Sequence, residues 1–554
     1  MKRKAVFRNS QQNQMSMFPE DLGAWIPADH PVRVVNQVIE QVNLKRLYDS
    51  YKGGGSSSYD PKMMIKVLIY AYLDNTYSSR KIEKALKESI PFIWLSGRST
   101  PDHSTISIFR SKRLQGFEGE VFKDIFTDIV LLLAEAGLVD LQDVYTDGTK
   151  LEANANRYTY VWANRLSSSK EKIRERLEGF WAYLEGLYKS EEQEIEPLNL
   201  GKKASSEKIQ ETVDRINQLV SDKEIKAKIA KEEKKNLRAI NKFADRYKRY
   251  EDQEVIIDGR GSYSKTDHDA TFMQTKDDHL KNGQLKANYN IQFSTSNRVI
   301  THYSVERTSS DMATYIRHLE GFKERYNFYP KQVTADAGYG SEENYLFLEE
   351  KGIEGFVKYG SFYREHRRNF KTKEFANARN LHYDEKGDFY ICPVGKKINR
   401  IGETKKTLRS GYIKETNIYE AADCKGCALM EPCLKQNSNK KISTNRRIHR
   451  TPNLERLRAK ARKLLLSEEG IRKRKQRSVD VEGCFGELKQ NKGFRRLMLR
   501  GLKKVNIEVG LLAMSMNIAK LAKHKARTMD EVCPKTSKTT LFNRNNKSIA
   551  AKRG

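Results

Sequence analysis

Val333-Thr-Ala-Asp336-Ala-Gly-Tyr339 is the stretch on which the fold turns. A short β-rich run ends in a carboxylate with small residues after it, a common way to place an acid at an exposed sheet edge. Val144-Tyr-Thr-Asp147-Gly148 repeats the arrangement. On neighbouring strands, two such acids could share hard cations such as Mg, which prefer oxygen ligands. The segment around Asp336, residues 254–360, reads as α/β. Tyr289, Ile291 and Phe293 alternate, and Val299, Ile300, His302 and Ser304 follow a Ser-Asn turn, which predicts a hairpin. Asp311 is expected to cap a helix through about Tyr326. A strand from Gln332 to Ala335, a helix from Glu342 to Lys351 and a strand from Gly355 to Lys358 complete the pattern.

A third acid, Glu482, lies in Arg477-Ser-Val-Asp-Val-Glu482-Gly-Cys-Phe-Gly-Glu-Leu-Lys489, on a helix whose Phe485 and Leu488 mark an apolar face. Lys489, Lys492, Arg495 and Arg496 follow and would hold phosphates. Two Mg ions about 4 Å apart could activate a water or hydroxyl and stabilise the leaving oxygen in phosphoryl transfer. The residues alone leave another reading open, in which each acid caps a helix or neutralises nearby Lys and Arg. Glu487 is the rival for the third acid.

The whole chain fits a polyanion partner. It has 554 residues and a formal net charge of +31, with 38% hydrophobic and 32% charged residues. That balance points to nucleic acid before a membrane surface. No run is expected to reach the ~18 apolar residues of a spanning helix, and the N-terminus has no secretory apolar region. The cytoplasm is the default compartment. Six cysteines in so long a chain are not a disulfide framework.

The expected organisation is an N-terminal arm and helix over 1–57, including the Gly53–Ser58 linker, then a helical DNA-binding domain over 58–138. In that domain Pro61 opens one helix, Ser78-Ser79 a second and Asp102 a third, with His103 and Arg110 on the third as DNA contacts. A catalytic core follows in two parts, 139–165 and 251–360. A charged helical hairpin or coiled-coil insertion, 166–250, separates them, since Ile173, Leu177, Phe180, Leu184 and Leu187 step by four and three. Residues 361–445 read as an irregular cysteine-containing insertion, 446–523 as a basic helical segment carrying Glu482, and 524–554 as a basic tail. Cys424-Lys-Gly-Cys427 with Cys433 and Cys392 could close one tetrahedral structural zinc site, or be reduced thiols or a redox pair.

Further stretches carry a resemblance. Tyr59-Asp-Pro-Lys-Met-Met-Ile, Pro101-Asp-His-Ser-Thr-Ile, Asp147-Gly-Thr-Lys-Leu-Glu-Ala-Asn, Asp267 with Asp269-Ala-Thr-Phe-Met, Asn288-Tyr-Asn-Ile-Gln, Ala335-Asp-Ala-Gly-Tyr, Val481-Glu-Gly-Cys-Phe-Gly and Gly493-Phe-Arg-Arg-Leu-Met occur in order over about 20–525. The chain resembles bacterial insertion-sequence transposases of the DDE type, in the broad IS-four-like superfamily. The resemblance implies an RNase H-like mixed sheet with flanking helices behind an all-α N-terminal domain, an α+β/α/β fold. It implies Asp147, Asp336 and Glu482 as ligands of two Mg ions, Mn substituting, with cleavage at element ends and strand transfer into target DNA. It also implies terminal inverted repeats and target DNA as partners, a homodimer in the synaptic complex, and a nucleoid-associated cytoplasmic location. Related enzymes carry a Tyr–Arg–Glu–Lys signature. Lys489 fits its Lys, whereas Ser478 holds the Arg position, Arg477 stands one residue off, and Lys475 holds the Tyr position. Two rival readings remain: a catalytically silent repressor derived from a transposase, and a two-metal nuclease without strand transfer.

Overall fold

The structure, a computed structural model, describes residues 21–51, 58–116, 120–201, 204–275, 284–435 and 444–531, with side chains through residue 525. The arm before residue 21, most of the Gly53–Ser58 linker, and the tail with Cys533 lie outside the described residues. The chain divides into two compact units, residues 1–135 with 511–554, and residues 136–510.

The first unit is helical. Pro61–Leu73 is apolar on nearly every side and buried from Met63 to Tyr72, so it forms the unit's central helix. Asp60 caps it by accepting from the Lys62 and Met63 N–H groups, and Pro61 occupies the first turn, where a missing N–H costs nothing. Ser79–Glu88 and His103–Ser111 supply the remaining short helices of the expected reader, and Asp102 caps the latter through the Thr105 N–H at 2.6 Å. The closing helix, Leu502–Glu531, starts in the second unit and ends in the first. Its stretch Leu502–Lys525 is long and apolar enough to span a bilayer, contrary to the sequence expectation. With 83% of that window buried, it is a core helix.

The second unit is built on a mixed sheet. In chain order the strands are β1 (Asp143–Glu152), β2 (Tyr160–Trp162), β3 (Ser262–Ser264), β4 (Thr271–Gln274), β5 (Leu285–Ser296), β6 (Val299–Glu306), β7 (Gln332–Ala335) and β8 (Glu354–Val357). The main sheet runs β4-β5-β1-β7-β8, with β6 also paired to β5. β5 is antiparallel to β1, and β1, β7 and β8 are parallel. The hairpin between β5 and β6 turns at Asn297-Arg298, both at positive φ (51° and 65°), the geometry of a tight primed turn.

Two segments depart from expectation. Among the described residues the charged insertion is a bundle of five helices, Ala163–Lys189, Ser206–Val220, Lys223–Lys228, Lys231–Ile240 and Phe243–Ile257, rather than a two-helix hairpin. Periodicity marks the long helices, but the short ones are recruited by packing of Ile225, Ile229 and Ile240 into their core. The cysteine-containing segment is no irregular loop. It forms a second, antiparallel sheet, β9 (His382–Asp384), β10 (Phe389–Ile391), β11 (Lys397–Thr407), β12 (Ile413–Ala421) and β13 (Arg447–Arg450), in the order β13-β12-β11-β10-β9. β11 escapes the pattern because only Ile398 on it is buried, so no alternation of apolar and polar residues marks it.

Candidate functional site

The acids come together through register and one arginine. Thr146 pairs with Ala335 at the last step of the parallel β1–β7 ladder, so the next residues, Asp147 and Asp336, sit side by side. Asp336 follows β7, but β1 runs on to Glu152, so Asp147 stands within its strand and not at the end expected from the sequence. The helix Glu468–Arg477 is pinned on the same strands. Its buried Lys473 reaches Asp143 at 2.7 Å and Gln332 Oε1 at 2.7 Å, at the start of β1 and β7. One turn later Arg477 Nη1 donates to Asp147 Oδ2 at 2.8 Å, and its Nη2 donates to Glu482 Oε1 at 2.6 Å.

Arg477 and Glu482 are five residues apart, which an α-helix would set about 140° apart around its axis. The backbone over Ser478–Glu482 is instead a π-helical turn, whose i→i+5 closure brings such residues onto one face. Asp480 fixes the turn by accepting the Arg298 N–H at 2.8 Å, and Phe485 stacks on Phe293 of β5 at 5.2 Å.

A second cation joins the site without any mark in the sequence pattern. Lys358 follows β8 in register with Asp336, is buried, and lies 2.9 Å from Asp336 Oδ1. Aligning the ends of the three parallel strands would have exposed it. Burial pushes the Asp147 carboxyl up, and Asp336 adds to this, against the pull of Arg477 and the Gly148 N–H. Burial also raises Asp336, but Lys358, the Ala337 N–H and Arg477 outweigh it and hold that carboxyl below the usual range. Among the described residues no three His, Cys, Asp or Glu side chains stand close enough to share an ion as they are. In the acid site, the Arg477 guanidinium bridges Asp147 and Glu482.

The expected DNA contacts divide. Arg477 is buried in the acid site with both amino groups engaged by carboxylates, which corrects its reading as a DNA-facing side chain. Arg110 is buried too, and donates to the Tyr72 hydroxyl at 3.1 Å, the Tyr77 carbonyl at 2.8 Å and Ser79 Oγ at 3.3 Å, so it holds its unit together. Lys492 is buried. Arg496 donates to the Ala153 and Ala155 carbonyls, which ties the chain after Glu482 to the end of β1. His103 Nδ1 pairs with Glu83 Oε2 at 2.8 Å. Lys489 is half-buried and Arg495 exposed. Asp267 and Asp269 are structural: they accept the Gly501 and Leu502 N–H groups at the start of the last helix.

Cys392, Cys424, Cys427 and Cys433 line one cavity together with Arg446. Two of them sit in similar turns. Cys392 Sγ accepts the Lys396 N–H at 3.2 Å across a turn with Gly395 at φ 83°, and Cys424 begins a turn with Gly426 at φ 70° and accepts the Arg446 N–H at 3.3 Å. Burial pushes the Cys433 thiol up, and the other three cysteines add to this against the pull of Arg446.

An acid cluster where the parallel β1–β7 ladder ends, beside a basic helix, is an arrangement that suits a polyanion. Comparison with known families makes the class specific. Residues 391–522 match the family described as Transposase DDE domain, and residues 20–112 match Transposase domain (DUF772). Over those two segments the chain is similar to transposases, which supports an insertion-sequence DDE transposase without specifying the IS-four-like superfamily. The first takes in the four cysteines, Arg477 and Glu482, whereas Asp147 and Asp336 lie outside both. No curated protein and no solved structure matches the chain.

Proposed function

We propose that the second unit is an RNase H-like catalytic domain that cuts DNA at the ends of its element and joins them to target DNA, with Asp147, Asp336 and Glu482 as its acids. One observation carries this: a single guanidinium ties Asp147 to Glu482, beside Asp336 on the adjoining parallel strand. The sheet order, with one antiparallel strand next to three parallel ones, supports the fold assignment.

The donor set is all carboxylate oxygen, which suits Mg or Mn. Bound there, a pair of such ions would activate the attacking oxygen and stabilise the leaving one. Arg477 and Lys358 hold the carboxylates in place meanwhile by neutralising their charge. Lys489 and Arg495 follow Glu482 in the chain and would hold phosphates. The reading entails terminal repeats and target DNA as partners, two copies of the chain to pair two ends, and a cytoplasmic location at the nucleoid. The helical first unit would select the ends.

The four cysteines fit one structural zinc, since thiolates are its preferred ligands and N–H···S bonds already orient Cys392 and Cys424. Metal analysis of the purified chain is expected to give about one zinc per molecule.

The main test uses purified protein, Mg and labelled DNA carrying the ends that flank its own gene. Nicked and joined products are expected, and Glu482→Gln is expected to abolish both while end binding persists. Nicks without joining would reduce the protein to a nuclease, and binding without either product in Mg or Mn would make it a repressor.

A further inference from the structure

Asp311 does not cap the helix Tyr315–Tyr326, whose first turn shows no side-chain cap. Its Oδ1 accepts instead from Asn290 Nδ2 at 2.7 Å and Gln292 Nε2 at 3.2 Å. Both amides are buried on β5. Gln292 stands opposite Gly148, the residue after Asp147, and lies so close over it that a Cβ there would collide with the Gln292 amide. Only glycine admits that side chain. From the other acid, Tyr339 follows in the short turn after Asp336, with its N–H donating to the Asp336 carbonyl at 3.1 Å. The Tyr339 hydroxyl, fully buried, donates to Gln292 Oε1.

We infer that Gln292 and Tyr339 are positioning residues that set the separation of Asp147 and Asp336, with Asp311 fixing the Gln292 amide in the orientation this needs. The inference rests on the reading of those acids as cation ligands. A carboxylate only accepts hydrogen bonds, so Asp311 draws the Gln292 amino group toward itself and leaves the carbonyl for Tyr339. Asn290 reinforces that choice, because its Oδ1 also accepts from Gln292 Nε2, at 2.9 Å. Burial, then the charges of Asp147 and Asp311, push the Tyr339 phenol well above its ordinary range, so it keeps its proton and donates. Asn344 Nδ2 holds the Tyr339 carbonyl at 2.8 Å and keeps the strut from swinging away. The result is a closed loop from Asp147 through Gly148, Gln292 and Tyr339 to Asp336, which reaches both acids through their backbone.

The test compares the full chain with Tyr339→Phe and with Tyr315→Phe as control. Tyr315 is equally buried, its ring centroid is 4.9 Å from that of Tyr339, and its hydroxyl has no hydrogen-bond partner among the described residues. Mn binding to DNA-free protein is read by electron paramagnetic resonance, and cleavage is followed over a Mg series. Tyr339→Phe is expected to raise the Mn concentration for half-occupancy about tenfold, in line with losses of outer-shell partners at metal sites. Its cleavage should recover at saturating Mg with the KM for DNA unchanged, and Tyr315→Phe should match the wild type. Wild-type protein that binds no Mn overturns the cation reading and this inference with it. Wild-type binding with Tyr339→Phe unchanged, or with Tyr315→Phe shifted equally, overturns this inference alone.

Discussion

Among the described residues, the helical insertion between β2 and β3 buries eighteen side chains in a core of its own, among them Trp181, Phe180, Phe243 and Tyr247. The cysteine sheet buries five among its described residues, Tyr390, Ile398, Tyr419, Ala421 and Ile448. Both leave the same unit of the chain, yet they solve different problems. The first has enough apolar surface to fold by burial. The second is too thin for that, since small cores seldom outweigh the entropy of ordering their chains without a staple. Its stability is therefore concentrated in a few polar devices: the cysteine turns, and Asp388, whose Oδ1 accepts from the Tyr383 and Tyr419 hydroxyls at 2.7 and 2.6 Å. A core spread over many contacts tolerates the loss of any one device, and a stapled sheet does not.

On the proposed reading of the cysteines as zinc ligands, removing the metal should break this contrast most visibly. Structural zinc in small domains is worth about 10–16 kcal/mol at neutral pH, so a chelator should unfold the cysteine sheet outright. Hydrogen exchange should show peptides across 382–450 losing protection while those across 163–257 keep theirs. Equal retention in both would remove the zinc and the contrast together. Next in size, Trp181→Ala should cost the helical insertion about 3–5 kcal/mol, the usual loss for a buried aromatic. Faster exchange confined to 163–257 is the expected result; spread of the effect into 382–450 would show that the two insertions do not fold separately.

The smallest effect sharpens the picture of the sheet. The Tyr419 and Tyr383 hydroxyls, with Arg400, hold the Asp388 carboxyl below its usual range. A depressed carboxylate contributes stability above its unfolded pKa of about 3.9, and that contribution disappears as pH falls through the lower folded value. Asp388→Asn should remove it, at a cost of up to about 1 kcal/mol after allowance for solvent screening of a partly exposed group. The difference between the variant and the wild type, followed by exchange of the Tyr390 and Tyr419 peptides, should be full at pH 7 and shrink below pH ~4. A difference independent of pH would place the stabilisation in the hydroxyl geometry alone.

Local pattern carries the main sheet of the second unit. Strand content around Asp147 and before Asp336 is a short-range property, and so is the β5–β6 hairpin, because alternation and turn chemistry lie within a few residues. Glu482 is legible from its basic, amphipathic surroundings. Pattern misleads where the deciding contact is remote. β11 carries one buried residue and no alternation, and it becomes a strand only because β10 and β12 flank it. Arg110 looks like any exposed basic residue of a helix until Tyr72 and Ser79 close over it. Asp311 reads as a cap and is instead an acceptor for two amides on β5.

By itself, then, the sequence determined the acids, the helical first unit, the basic character that calls for a polyanion, and the spacing of the cysteines. Each is a matter of composition or of neighbours within a turn or a strand. Tertiary structure alone decided that Arg477 points inward at Asp147 and Glu482, that Lys358 meets Asp336, and that Gln292 lies over Gly148. The reason is physical. These contacts depend on strand register and on a π-helical turn, and in both a slip of one residue sends the side chain to a different face.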